Sequence, residues 1–363
     1  MKCKLSREKA IGTAKNGILG LKRRILRRFA GLSIVLLFFG SSVFAAGGMF
    51  ELKEAAEGVY IARALGGGMI HCNAAVIILE DGIMVVDTHS RPFAARALMK
   101  QIKTVTDKPI RYVVDTHYHY DHFQGNAAYL EDCPGVEIIA SVNTYRGISK
   151  RGIPRVKANI PGLTRRIKDM KRQLADTADV DKQEELKSEI SGMEEELGEL
   201  QQIVKNSMPT ITFEKSLVLY DKKRVVKILF LGRGHTDGDT VVYLPKEKIL
   251  CTGDLLHAWG PYMPDCYPYE WIETLAIMEG MDFEKIISGH GDVLEGKGQV
   301  TLWKNYLKDV MEQAGELYGR GYSLEEIKEK VDLSKYIPLM DEFGDYDINL
   351  HIEKAYNELS WGP

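Results

Sequence analysis

The chain predicts an α/β fold, and three observations carry that expectation. Short apolar runs of strand length recur at residues 110–114, 225–231, 241–250 and 286–287. Stretches with apolar spacing of three and four lie between or beside them, as at Ala94, Ala97, Leu98 and Ile102. Three of the strand runs lead into a His or Asp flanked by Gly, the residue that lets a backbone turn sharply at a strand end. Strands alternating with helical patterns are the signature of an α/β architecture.

Taken from its start, the chain opens on a basic leader. Residues 1–28 hold ten Lys or Arg against one acid, Glu8, and an apolar run at 29–39 follows. Gly40, Ser41 and Ser42 then lead into the small-residue pattern Val43-Phe44-Ala45-Ala46, which fits a signal-peptidase site. A signal peptide at 1–45 and export to the periplasm or the extracellular space are therefore expected. The alternative is an uncleaved anchor, because residues 29–46 sit at the lower length limit for spanning a bilayer. On either reading, contact with a membrane is confined to the leader. Its removal takes the net charge from −3 to −12, since it carries ten positive charges and one negative. So acidic a body argues against a nucleic-acid partner.

Four cysteines remain after cleavage, Cys72, Cys133, Cys251 and Cys266, in no zinc-ribbon or CxxC spacing. Cys251 reads as a buried apolar residue. An oxidising compartment permits a disulfide at Cys133 or Cys266 without indicating one.

The helical spacing at 91–102 predicts a helix covering the first sheet, and the strand run at 110–114 then ends at Asp115. His117, His119, Asp121 and His122 follow within six residues, three of the nine histidines in the chain. Imidazole and carboxylate are the usual nitrogen and oxygen donors for zinc. His117 and His119, two apart, can face one ion while Asp121 and His122 turn to a second. A helix is expected from Gly125-Asn126 to Tyr129 beside this loop.

Between 145 and 210 the pattern changes. Ile160, Leu163, Ile167, Met170 and Leu174 repeat at helical spacing, as do Leu186, Ile190, Met193, Leu197, Leu200 and Val204. Two antiparallel helices joined near 176–181 are predicted, forming a hairpin insertion at 155–208. The second seam is longer than the shorter first helix can cover, so exposed apolar surface is expected, with use as a lid or as a homodimer contact.

Ligand-type residues then recur at strand ends: His235 in Gly234-His235-Thr236, Asp254 in Gly253-Asp254, and His290 in Gly289-His290-Gly291. In this order the motifs resemble the metallo-β-lactamase superfamily, over about residues 55–300. The resemblance implies a four-layer αββα domain at 46–300. It also implies that His117, His119 and His235 bind one metal, that Asp121, His122 and His290 bind the other, and that Asp254 bridges both. By the same resemblance, residues 73–79 and 83–86 are the first paired strands, and Asp87 is an acidic residue beneath the metals. Every ligand position is filled.

Residues 301–363 read as a helical tail. An amphipathic helix is predicted at 300–318, a capping box starts another at Ser323 with Glu326, and a last helix is predicted at 351–359. In thioester hydrolases of this superfamily such a tail helps bind substrate.

Two divalent ions about 3.5–4 Å apart can share a hydroxide and lower its pKa toward neutrality. The expected activity is a zinc-dependent hydrolase that uses this bridging hydroxide on an ester, thioester, lactone or lactam of a small-molecule substrate. Asp121 would both hold a metal and orient the nucleophile. Two Zn2+ are the expected load, with iron or manganese as alternatives. Asp254 stands where true β-lactamases of the superfamily commonly carry Cys or Ser, which points toward glyoxalase-like and other ester hydrolases. Asp239 is read as orienting the His235 loop. His257, Trp259, Tyr262, Tyr267 and Tyr269, with Tyr118 and Tyr120, are read as walls of a pocket, and His71, His89 and His351 as structural. Competing readings are a mononuclear iron sulfur dioxygenase and a non-catalytic metal-binding protein. Two complete triads argue against both, since a one-iron enzyme has no use for Asp121, His122 and His290 as ligands.

Overall fold

The computed structural model describes residues 48–65, 72–257, 260–336, 338 and 348–361. The leader at 1–45, His71 and Trp259 lie outside them. No described helix is long and apolar enough to cross a membrane.

The first sheet has seven strands that neighbour one another in chain order: β1 (Phe50–Ala56), β2 (Val59–Ala64), β3 (Ala74–Ile78), β4 (Ile83–Val86), β5 (Ile110–Asp115), β6 (Glu137–Ser141) and β7 (Ile211–Phe213). β1 to β4 pair antiparallel, whereas β4 to β7 run parallel. Parallel neighbours need a crossover, and helix α1 (Pro92–Ile102) supplies the one between β4 and β5. Helices α2 (Tyr120–Phe123) and α3 (Asn126–Asp132) lie between β5 and β6. The β1–β2 hairpin is an addition to the strands expected from the sequence.

The second sheet comprises β8 (Ser216–Tyr220), β9 (Val225–Leu229), β10 (Val241–Leu244), β11 (Ile249–Gly253), β12 (Lys285–Ser288) and β13 (Leu294–Glu295), ordered β13-β12-β11-β10-β9-β8. Its one parallel pair is β11 with β12, joined across helix α7 (Pro268–Glu279).

Successive side chains of a strand point to opposite faces, and β3 and β4 are buried on both. Val76 and Val85 pack outward with Ala94, Leu98 and Ile102 of α1. Ala75, Ile77 and Met84 pack inward with Val242, Ile249 and Ile287 of the other sheet. Beyond the second sheet, Trp271 of α7 packs with Trp303, Leu307 and Val310 of α8 (Gly298–Gly319). The order is thus helices, sheet, sheet, helices. This is the four-layer αββα arrangement, with one apolar core between the sheets and one on each outer side.

After β6 the chain enters α4 (Val142–Gly147), passes through a π turn (Ile148–Gly152) and continues as α5 (Ile153–Asp176). Helix α6 (Val180–Lys205) returns beside it, its first turn capped by Asp179, which accepts from the Asp181 and Lys182 amides. The seam between α5 and α6 is covered along its length. Ile167, Met170, Leu186 and Ile190 form a small cluster toward the tip. Val156, Leu200 and Ile203 pack at the base on Tyr118 and Phe123 of the His/Asp loop. The surplus apolar surface expected on α6 is therefore not present. Among the large apolar side chains of the two helices, only Val180 at the tip is exposed among the described residues. The first helix is longer than its pattern suggested, because α5 runs through Pro154 and Pro161, and Ile203 rather than Val204 turns fully inward.

α9 (Leu324–Lys330) begins with the expected capping box, the Ser323 hydroxyl accepting from the Glu326 amide and Glu326 accepting from the Ser323 amide. α10 (Ile348–Trp361) returns onto α8, where the Tyr306 hydroxyl and His351 Nδ1 lie 2.6 Å apart.

Candidate metal centre

The candidate site lies where the carboxyl ends of β4, β5, β11 and β12 meet, the usual place for ligands on parallel strands. Backbone bonds join the two sheets there. The Thr240 amide donates to Thr116 O at 2.8 Å, and the Asn73 amide to Gly289 O at 2.6 Å. Asn73 binds the loop after β12, its side-chain amide reaching Ser288 O at 3.1 Å and Gly291 O at 2.7 Å. Two glycines permit the close approach. Gly253 has φ +52 and a Cβ on it would meet Thr116 Oγ1 at 2.3 Å, while a Cβ on Gly289 would meet Asp254 Oδ1 at 2.0 Å.

All seven predicted donors converge, in two groups. His117, His119, His235 and Asp254 offer atoms within 4.8 Å of one another, and so do Asp121, His122 and His290. Asp254 faces both. Its Oδ2 lies 3.8 Å from His117 Nε2 and 3.7 Å from His235 Nε2, and its Oδ1 lies 3.2 Å from His122 Nε2 and 3.4 Å from His290 Nε2. His119 Nδ1 meets His235 Nε2 at 2.9 Å, and His290 Nε2 meets Asp121 Oδ2 at 3.4 Å.

Metal-binding histidines are usually oriented by a partner on the outer ring nitrogen, and His119, His122 and His235 each have one. His122 Nδ1 lies 2.8 Å from Asp87 Oδ2, His235 Nδ1 lies 3.1 Å from Tyr262 O, and His119 Nε2 lies 3.0 Å from Asp265 Oδ2. Asp87 also accepts from the Thr116 amide at 2.8 Å and its hydroxyl at 2.9 Å. It adopts φ +64, an uncommon conformation that Asp tolerates better than most residues.

The electrostatics suit a cation. Burial lowers His117 and His235 well below the usual imidazole range, with neighbouring histidines adding to it, so both are neutral, the metal-binding form. Burial pushes Asp121 and Asp254 up, yet His122 and His290 hold both carboxyls well below their usual range. His122 itself is raised well above its ordinary value, because Asp254, Asp87 and Asp121 outweigh its burial. His117 Nε2, His122 Nε2 and Asp254 Oδ1 are buried with no hydrogen-bond partner among the described residues. Buried polar atoms normally have one. Inward-facing orphans of this kind, the neutral His117 and His235 and the charged Asp121 and Asp254 fit a pair of divalent ions, for which His122 and His290, the latter raised to about 10 by Asp254 and Asp121 against its burial, would give up their protons.

Three features of the site had been read differently or not at all. His257, expected in a pocket wall, is buried inside the donor cluster, its Nε2 3.0 Å from Asp254 Oδ1. Asp265 was not anticipated; its bond to His119 outweighs burial and, with help from Tyr118, holds its carboxyl low. Tyr118, also expected as a wall, is packed inward beneath Arg151, whose guanidinium lies 4.0 Å from the ring centre and pairs with Asp237. Tyr120 and Tyr269 are exposed. Asp239 accepts from the Thr236 amide and hydroxyl and so shapes the turn after His235. Burial pushes it up to about 7 against those bonds. Cys72, Cys133, Cys251 and Cys266 are all free.

An αββα sandwich with two facing His/Asp groups at its strand ends defines a class of metal-site proteins. The family model described as the Metallo-beta-lactamase superfamily matches residues 67–290, and the chain belongs to that superfamily. Its members generally bind divalent metals, usually zinc. Among curated relatives, a linear primary-alkylsulfatase from Pseudomonas sp. is 22% identical over 291 residues, covering 74% of this chain. The chain spans about half of that relative's length, 52%. A metallo-beta-lactamase type 2 from Bacillus cereus is 23% identical over 256 residues, covering 68% of this chain and 78% of the relative. Among solved structures, a metallo-beta-lactamase from Pontibacter korlensis aligns with a TM-score of 0.52 and 18% identity, covering 71% of this chain and 99% of that one. FIM-1 from Pseudomonas aeruginosa, in its mono-zinc form, aligns with a TM-score of 0.51 and 16% identity, covering 71% and 95%. These structural likenesses establish the shared fold.

Proposed function

We propose that this protein is a metal-dependent hydrolase of an ester-type bond in a small-molecule substrate, with two divalent ions, zinc first among them. The convergence of seven His and Asp donors on both sides of Asp254 carries the reading. Such an ion pair supplies an activated water and polarises the bond under attack. The chain's own part is to hold and orient. His117, His119 and His235 present one set of donors and Asp121, His122 and His290 the other, and Asp254 offers one carboxylate oxygen to each. Asp87, Asp265 and the Tyr262 carbonyl fix the rings. No Ser or Cys nucleophile is required, and Cys72, Cys251 and Cys266 are buried with their thiols pushed up by burial.

The bond type is open among carboxylic ester, thioester, lactone, lactam and sulfuric ester. The last enters because a relative matched over 74% of the chain is named an alkylsulfatase. A one-iron dioxygenase is disfavoured, because it leaves Asp121, His122 and His290 with no ion to hold. Metal analysis of protein purified without added metal tests the reading, with two zinc expected. A single iron and no hydrolysis across a panel of these five bond types would overturn it.

Export is proposed alongside, on the basic and apolar leader; intact-mass measurement from the native host should place the mature start near Ala46. The hairpin at 155–208 is proposed as a lid, because its base rests on Tyr118 and Phe123 beside the donors. Its use as a dimer contact loses its main support once the α6 seam is covered.

A further inference from the structure

We infer that His257 is an eighth donor and that Asp254, His257 and His290 form an alternative position for the second ion. This inference rests on the metal-centre reading above and adds to it a residue that the superfamily pattern in the sequence did not supply.

His257 lies three residues past Asp254 and is 1% exposed. Its Nε2 is 3.0 Å from Asp254 Oδ1, closer than His122 at 3.2 Å or His290 at 3.4 Å to the same oxygen. Its Nδ1 lies 3.2 Å from Gly260 O, the same carbonyl anchoring that His235 has at Tyr262 O, 3.1 Å away. A carbonyl only accepts, so Nδ1 is the donor to Gly260 and Nε2 is the nitrogen turned to the carboxylate. The ring is also boxed in, with His290 4.9 Å away edge-on and Trp303 5.5 Å away.

The donor atoms of Asp254, His257 and His290 lie within 4.8 Å of one another. Two offer a ring nitrogen and one a carboxylate oxygen, a set suited to zinc, cobalt or iron(II) rather than calcium or magnesium. His290 belongs both to this triad and to the one with Asp121 and His122. His290 faces both positions through Nε2, which has a single lone pair, so they would hold one ion between them at a time. An ion moved from the Asp121 side toward His257 would keep His290 as a ligand.

The test is Co2+ titration of the metal-free full chain, read by visible absorption and by metal content after desalting. It compares the parent with Asp121→Ala, His257→Ala and the double variant. Losing a partner around a metal typically costs about 10–100-fold in affinity. His257→Ala should weaken the second ion by at least tenfold and alter its absorption, leaving the first ion unchanged. Asp121→Ala should still take up a second ion, and the double variant should take up one only. If an alanine variant lacks the parent's far-UV circular dichroism, His257→Gln replaces it, with the same loss expected. A parent-like second-ion affinity and spectrum in the His257 variants overturns the inference and leaves the metal-centre reading standing. So does equal second-ion binding in Asp121→Ala and the double variant. A parent that takes up no divalent ion overturns both.

Discussion

Replacing Asp87 with Asn keeps the shape of the cleft floor and removes one acceptor. The carboxylate, 2% exposed, accepts from the Thr116 amide at 2.8 Å on Oδ1, and on Oδ2 from the Thr116 hydroxyl at 2.9 Å and His122 Nδ1 at 2.8 Å. Asn tolerates the φ of +64 found there about as well as Asp, so backbone strain does not confuse the result. An Asn can offer its oxygen to one side only. If the oxygen serves the Thr116 amide, the new NH2 faces His122 Nδ1–H, and one buried donor goes unpaired at a cost of about 1–3 kcal/mol. His122 can escape by moving its proton to Nε2, but that nitrogen then no longer has a lone pair for a metal. Either route lowers affinity for the ion at Asp121, His122 and His290. The outer-shell range of about 10–100-fold corresponds to about 1.4–2.7 kcal/mol, in line with the unpaired-donor cost. Chelator competition with zinc, one ion resolved from the other, measures it. An Asp87→Asn protein with parent-like affinity for both ions would refute the orienting role of Asp87.

Asp265→Asn should weaken the other ion, held by His117, His119 and His235, by about 10–100-fold while leaving the second unaffected, because Asp265 contacts His119; the same competition reads it. Gly289→Ala should cost the protein its second ion and at least tenfold in activity, since the added methyl would sit 2.0 Å from Asp254 Oδ1; normal metal content would contradict that crowding. Ile203→Ala, at the fully buried base of the hairpin, should destabilise by about 2–5 kcal/mol in denaturant melts. Replacing residues 167–190 with a short Gly/Ser loop removes only the tip cluster and should leave metal content unchanged.

The donors were legible in the sequence because four crowd into six residues after a strand and the other three, His235, Asp254 and His290, each follow a strand and sit beside a Gly, a local pattern that survives without knowledge of the fold. Asp265 carries no such mark. It reaches His119 across 146 positions of sequence, and only the folded loop after β11 brings the two together. His257 was visible as a residue but not as a donor, since a histidine among Trp259, Tyr262 and Tyr267 reads as part of an aromatic wall. In the fold, α5 begins at Ile153, ahead of Ile160 where the apolar pattern starts, and contains Pro154 and Pro161. The helix tolerates them, Pro154 lying in its first turn. The β1–β2 hairpin escaped notice because only Phe50 and Leu52 of β1 are buried, too few positions for a clear alternation.

The π turn at Ile148–Gly152 has a consequence for how the hairpin can vary. Each residue advances a helix by about 100°, so one residue more or fewer swings everything beyond it by more than a quarter revolution. With the wider turn in place, Gly147 and Gly152 lie directly on Tyr118 and Phe123, where a Cβ would come within 2.7 Å and 2.8 Å of the rings, and Val156 then faces the same rings. Trimming one residue from 148–152 would give a more regular helix and aim the wrong side of α5 at the domain. The irregularity thus acts as a phase adjuster. The tip can lengthen or shorten freely, but the angular setting of the base tolerates no change of count.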